Sequence, residues 1–151
     1  MELKRVVVTG IGAITPIGNT AADYWSGLLN GVSGADRITL FDASKFKTQF
    51  ACEVKGFDPV DYLDKKEARK LDRFTQLAIV ASDEAIKNAG ISKETVDPDR
   101  TGVIFSSGIG GLMTFQEEVM NYAKGDVTPR FNPFFIPKMI LDIAAGHISI
   151  R

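Results

Sequence analysis

The chain has 151 residues, of which 44% are hydrophobic and 25% charged, the composition of a globular protein with a sizeable core. Its 18 basic and 19 acidic residues give a net charge of -1, so nothing global points to a nucleic acid or a membrane as partner. The single cysteine, Cys52, excludes an internal disulfide, and no apolar run has the length of a signal peptide or membrane span. We therefore expect a cytoplasmic protein.

The first predicted strand covers residues 4–9 and leads into two glycines, Gly10 and Gly12. The two glycines resemble half of a dinucleotide-binding fingerprint. However, Thr15 stands where the third glycine belongs, and no helix begins directly after the pair. Nucleotide binding is therefore a minor hypothesis, and a missing change in nicotinamide fluorescence would dismiss it.

A helix is predicted to start at Thr20, because Asp23 follows at the spacing of a weak capping box, and to stop at Gly31. Trp25 has helical spacing with aliphatic residues, which predicts a position in the core. The chain from 34 to 57 is predicted to be irregular with one hairpin. Cys52, in the alternating run there, has no adjacent histidine or base and is predicted to be a buried small residue rather than a nucleophile.

The longest predicted helix covers residues 63–89 and ends at Gly90. Its first half carries cations at the i, i+3, i+4 and i+7 positions, which would share one helix face. Two interpretations remain open, a solvated face and a docking patch for an acidic partner. The second half is apolar almost all round and is predicted to be buried. The four cations are Lys66, Arg69, Lys70 and Arg73.

A buried strand around residues 103–105 is predicted to open into a glycine turn containing Gly108, Gly110 and Gly111. Small-molecule sites favour such turns at the carboxyl ends of strands, although a plain connection to the next helix is equally consistent. That helix should reach Gly125, with its adjacent glutamates at the surface.

Residues 131–137 hold two prolines and three aromatic residues, which predicts a rigid apolar loop that lines a pocket or enters another subunit. A last helix is predicted over residues 138–145. His147, the only histidine, is interpreted as structural, and residues 148–151 alternate like the beginning of a strand.

Ordered motifs along the whole chain resemble the β-ketoacyl-acyl carrier protein synthases, the condensing enzymes of type II bacterial fatty-acid synthesis. Two residues depart from the family pattern, since asparagine is usual at Asp142 and glycine is common at Cys52. The motifs are Val6-Val7-Val8-Thr9-Gly10-Ile11-Gly12, Thr15-Pro16-Ile17-Gly18, Phe41-Asp42-Ala43-Ser44, Arg69-Lys70-Leu71-Asp72-Arg73-Phe74, Ser107-Gly108-Ile109-Gly110-Gly111 and Asn132-Pro133-Phe134-Phe135-Ile136-Pro137.

The resemblance implies an α/β fold, the thiolase-like αβαβα layered fold with a mixed sheet. Residues 1–151 would form the N-terminal half, cut before the segment that bears the nucleophilic cysteine. The family is homodimeric and condenses malonyl-carrier protein with an acyl thioester. No catalytic residue is expected in these 151 residues, and Cys52 and His147 do not replace the missing ones. No cofactor or metal is expected, and the chain alone should be inactive.

The resemblance also assigns supporting residues. Ile109 matches the residue that gates the family's acyl pocket, and Phe134 and Phe135 match a loop that closes the partner subunit's pocket. Lys66, Arg69 and Lys70 match basic residues that meet the acidic carrier protein. The alternative function is a non-catalytic module for carrier-protein binding or assembly.

Overall fold

A computed structural model describes residues 3–126, 128 and 130–151. The chain forms two compact units, the first built from residues up to 57 together with 81–92, and the second from residues 58–80 together with those from 93 onward. None of the described helices is long and apolar enough to cross a membrane. The helices are α1 (Ala21–Leu29), α2 (Lys65–Ala68), α3 (Arg73–Ala89), α4 (Leu112–Lys124), α5 (Phe135–Met139) and α6 (Ile143–Ile150), and the strands are β1 (Asp36–Arg37) and β2 (Phe50–Ala51).

In the first unit, α1 begins and ends where local signals predict. The Thr20 hydroxyl accepts a hydrogen bond from the Asp23 N–H at 3.1 Å, and Gly31 follows the helix with a φ of +63°. The prediction for Trp25 is wrong, since this side chain is 60% exposed. Helix α1 packs through the buried Gly27 against Ile17, and Trp25 lies two residues, about 200°, around the helix from that contact.

The predicted hairpin is present as a short antiparallel pair in which Asp36 faces Ala51 and Arg37 faces Phe50. Directly after β2, Cys52 is exposed, so its predicted burial is wrong. A two-residue strand pair covers too little surface to bury a side chain that follows it.

The strand predicted over residues 4–9 and the buried strand predicted around residues 103–105 form no sheet ladder within the described residues. Val6 is 89% exposed and Ile104 is fully exposed, whereas Val103 is half-buried, so the burial predicted around residues 103–105 is wrong. Strand-forming residues need the N–H and C=O groups of a neighbouring strand, and sequence propensity alone does not supply that neighbour.

The second unit has its core around α2 and the N-terminal half of α3. The predicted continuous helix over 63–89 is interrupted at residues 69–72. Burial of its second half is confirmed only in part, since Thr75 and Ala78–Val80 are buried, whereas residues 81–89 are half-buried or exposed. The interruption is stabilised by Gln76, whose side-chain amide donates to the Ala68 carbonyl at 2.9 Å. The buried apolar residues of the second unit are Leu63, Ala68, Leu71, Ala78, Ile79, Val80 and Ala144.

Of the last three helices, α4 agrees with the prediction, whereas the helix predicted over residues 138–145 is divided between α5 and α6. Helix α4 follows the glycine turn as predicted, and α5 forms inside the segment predicted as a rigid loop. Residues 148–150 belong to α6 and not to a strand. Three alternating residues are too few to outweigh a helix that has already begun at Ile143.

Candidate functional site

The glycine turn of the second unit packs against the end of α5. The Gly111 N–H donates to the Met139 carbonyl at 3.0 Å, and the Gly110 N–H donates to the Ser107 hydroxyl at 3.0 Å. Gly110 has a φ of +79°, and a Cβ at Gly111 would lie 2.5 Å from the Lys138 carbonyl oxygen. Any larger residue at Gly111 would separate the turn from α5.

Beside this turn lies a cleft of about 570 Å³. Its volume falls within the range of small-molecule sites, and the residues that line it are apolar except for Asp142. Ile109 stands at the cleft with 66% of its surface exposed. The cleft can therefore take an apolar chain and offers it almost no polar partner. The lining residues are Ile109, Leu112, Phe115, Met139, Ile140, Leu141 and Asp142.

Four aromatic rings form a continuous stack behind one wall of the cleft. Tyr122 stacks on Phe131 at 5.4 Å, Phe131 on Phe135 at 5.7 Å, and Phe135 on Phe115 at 6.2 Å between ring centroids. Phe115 also lines the cleft. The stack joins α4 to α5 and supports this wall, so Phe135 reaches the cleft only through Phe115.

Phe134 points to a different neighbour. The Lys70 ammonium lies 5.6 Å from the centroid of its ring, and the side chain is 42% exposed. Phe134 is not among the residues that line the cleft. Of the three residues assigned to an acyl pocket by resemblance, only Ile109 borders the cleft directly.

The basic segment, defined as Lys65–Lys70, is compact and exposed. Asp64 caps α2 by accepting from the Lys66 N–H at 2.8 Å, and Arg69 and Lys70 continue as a turn. Lys66, Arg69 and Lys70 are all exposed. Because α2 ends at Ala68, these cations do not share one face of a long helix as predicted, although they remain close in the chain.

Backbone N–H groups beside the glycine pair Gly10 and Gly12 already have hydrogen-bond partners within the protein. Half-buried Glu84 on α3 accepts from the Ala13 N–H at 2.8 Å, and Asn88 accepts from the Ile11 N–H at 3.1 Å. A Cβ at Gly12 would lie within 1.9 Å of the Ala81 carbonyl oxygen. The two glycines allow the chain to pass close to the backbone of α3. The Glu84 carboxylate already accepts from a backbone N–H that a bound phosphate would need.

Neither a metal site nor a nucleophile is evident in the part of the chain that the structure describes. No three histidine, cysteine or carboxylate side chains cluster there as metal ligands would. Cys52 is exposed, and no histidine or basic residue adjoins it in the sequence. His147 lies within α6.

One contact has no counterpart in the sequence analysis. The Asp72 carboxylate is buried with 8% exposure and accepts a hydrogen bond from the Thr114 hydroxyl at 2.5 Å. The two residues are 42 positions apart, so no local pattern connects them.

Residues 3–151 match the family model described as "Beta-ketoacyl synthase, N-terminal domain". The chain is 47% identical over 148 residues to a 3-oxoacyl-[acyl-carrier-protein] synthase 2 of Staphylococcus aureus, covering 97% of this chain and 35% of that protein. A protein of the same name from Synechocystis sp. is 46% identical over 152 residues, which cover 100% of this chain and 36% of that protein. The chain thus spans about a third of the length of these relatives.

Solved structures agree with this match. A type II PKS ketosynthase, solved in complex with its acyl-carrier protein and bound to the hexaketide, has a TM-score of 0.75 and 27% identity, with 98% of this chain and 38% of that chain covered. The ishigamide ketosynthase/chain length factor has a TM-score of 0.77 and 26% identity, and the match covers 95% of this chain and 36% of that chain. The thiolase-like α/β fold is confirmed. With a family match over residues 3–151, the chain belongs to the β-ketoacyl synthases and represents their N-terminal domain.

Proposed function

We propose that this chain is the N-terminal part of a 3-oxoacyl-acyl carrier protein synthase 2, which condenses malonyl-carrier protein with an acyl thioester in fatty-acid synthesis. The observation that carries the proposal is the 47% identity to the Staphylococcus aureus synthase over 97% of the chain. The enzyme is a cytoplasmic homodimer, and the chain contributes to the acyl pocket, the dimer and carrier docking.

The cleft supports the acyl-pocket role. An acyl chain needs apolar walls, and six of the seven residues that line the cleft are apolar. Ile109 is the gating residue at its edge. Phe135 supports the wall through the aromatic stack, and Phe134 closes the pocket of the partner subunit.

Docking of the carrier protein is assigned to Lys66, Arg69 and Lys70. These side chains are exposed and follow one another within five residues, so an acidic surface can meet all three without burying an uncompensated charge. A carrier protein is bound by one of the structurally similar ketosynthases, which supports the same class of partner for this chain.

A titration tests the docking role. Acyl carrier protein is titrated into the chain and into the variant Lys66→Glu/Arg69→Glu, with Lys93→Glu as a control for one charge reversal outside the basic segment. We expect the double variant to bind at least about tenfold more weakly, the effect of about 1.4 kcal/mol, because two attractive charges become repulsive. Affinity that is equal in all three proteins would remove the docking role.

The chain alone is expected to be inactive. Malonyl- and acyl-carrier protein are incubated with the purified chain, and measurable 3-oxoacyl product would contradict this expectation. The second candidate, a non-catalytic module for carrier-protein binding or assembly, is favoured by the exposed cations of the basic segment together with a cleft in which Asp142 is the one polar residue among those that line it. It predicts carrier binding without any contribution to condensation.

A further inference from the structure

Asp72 is a buried carboxylate with a defined partner for each oxygen. It directly precedes α3, and its Oδ1 accepts from the Phe74 N–H at 3.2 Å, as a helix N-terminal cap does. Its Oδ2 accepts from the Thr114 hydroxyl at 2.5 Å. One oxygen therefore completes α3, whereas the other extends to a second helix.

That second contact is made at the start of α4. Thr114 is the third residue of α4, and Gly111 before the helix supplies no side-chain cap. A Cβ at Gly111 would lie 3.1 Å from the same Asp72 oxygen. The carboxylate thus lies against the positive end of the α4 dipole, which strengthens the contact.

The start of α4 is also the base of the cleft turn. Leu112, the first residue of α4, lines the cleft, and Ile109 lies three residues earlier. Between them, Gly111 is held on its other side by the Met139 carbonyl. The Met139 carbonyl holds the Gly111 N–H and the Asp72 carboxylate holds Thr114, so the turn that carries Ile109 is tied at its base by two contacts.

We propose that the hydrogen bond from Thr114 to Asp72 is a positioning contact that holds Ile109 at the cleft and thereby determines which acyl chains the cleft admits. Asp72 and Thr114 act through the turn and do not touch the acyl chain. The part of the proposal that concerns acyl chains rests on the proposed function, whereas the part that concerns Ile109 does not.

A matched pair of substitutions isolates the hydroxyl. Thr114→Val keeps the shape of the side chain and removes the donor, whereas Thr114→Ser keeps the donor. The isoleucine methyl groups of the chain are labelled with carbon-13, and Ile109 is assigned with Ile109→Leu. We expect Thr114→Val to shift or broaden the Ile109 methyl signal and to accelerate hydrogen exchange of the Leu112 amide, with Thr114→Ser close to wild type.

The result that overturns the positioning role is an Ile109 signal that is the same in wild type and both variants, even if Thr114→Val is less stable. Selectivity is measured separately, in a chimera that joins this chain to the remainder of the Staphylococcus aureus synthase. There we expect Thr114→Val to change the ratio of kcat/KM for long and short acyl groups by about three- to tenfold, the range for one hydrogen bond. An unchanged ratio in an active chimera would overturn acyl selection, whereas a parent chimera without activity would count against the proposed function instead.

Discussion

We predict that Glu84 stabilises the first unit by accepting hydrogen bonds from the backbone of its N-terminal segment. Its carboxylate accepts from the Ala13 N–H at 2.8 Å and from the Ala21 N–H at 2.9 and 3.2 Å. Ala21 is the first residue of α1, where the N–H has no partner within the helix. The carboxylate therefore satisfies two backbone donors and lies at the positive end of the α1 dipole.

The magnitude follows from the number of donors left unsatisfied. Glu84→Gln keeps one acceptor oxygen for two N–H groups, and one half-buried donor without a partner costs about 1.5 kcal/mol. Glu84→Ala leaves both donors without a partner and should lower the free energy of unfolding by about 3 kcal/mol. The control Glu117→Gln, at an exposed position of α4, should stay within about 0.5 kcal/mol of wild type.

The assay combines urea unfolding with hydrogen exchange. The graded loss should appear in the unfolding free energy, and exchange should accelerate at the amides of Ala13 and Ala21 in both Glu84 variants. A Glu84→Ala variant as stable as Glu117→Gln, with these two amides still protected, would refute the reasoning.

Two further predictions concern single groups. Thr75 is 1% exposed and its hydroxyl has no hydrogen-bond partner among the described residues, so Thr75→Val should raise the unfolding free energy by about 1 kcal/mol in urea unfolding; a loss would show that the hydroxyl has a partner. The Thr39 hydroxyl, donating at 2.7 Å, is the main cause that lowers the pKa of Glu53. Because the pKa is lowered in the folded state, the stabilisation is present above the unfolded pKa of about 4.3 and is lost as the pH falls through the folded pKa. Thermal unfolding of Glu53→Gln should therefore differ from wild type at neutral pH and coincide with it in acid, and a constant difference would contradict this.

Helix boundaries were predictable wherever their signals were local. The capping pair Thr20 and Asp23, and the stops at Gly31 and Gly90, act within a few residues, and the structure has helix ends at all of them. The break between α2 and α3 was missed, because the spacing of the cations across residues 63–89 does not reveal the hydrogen bond from the Gln76 side chain to the Ala68 carbonyl. Alternation over residues 148–150 was too short to distinguish strand from helix.

The candidate site was predictable only in part, because its geometry depends on contacts between distant residues. The glycine turn and Ile109 could be identified from one continuous motif. The aromatic stack pairs α4 with residues of another segment, and the Asp72–Thr114 contact joins positions 42 apart. A single sequence carries no signal for either, and the exposure of Trp25 depends likewise on which face of α1 finds a neighbour.

The chimera tests the central claim most directly. The 148-residue region of the Staphylococcus aureus 3-oxoacyl-acyl carrier protein synthase 2 that aligns with this chain is replaced by the chain itself. Formation of 3-oxoacyl-carrier protein from malonyl- and acyl-carrier protein is then measured against the parent enzyme. If the chain supplies a ketosynthase N-terminal domain, the chimera should retain kcat/KM within about tenfold of the parent, a change of no more than about 1.4 kcal/mol in transition-state stabilisation. A folded chimera that binds carrier protein but forms no product would contradict the account and favour the non-catalytic module.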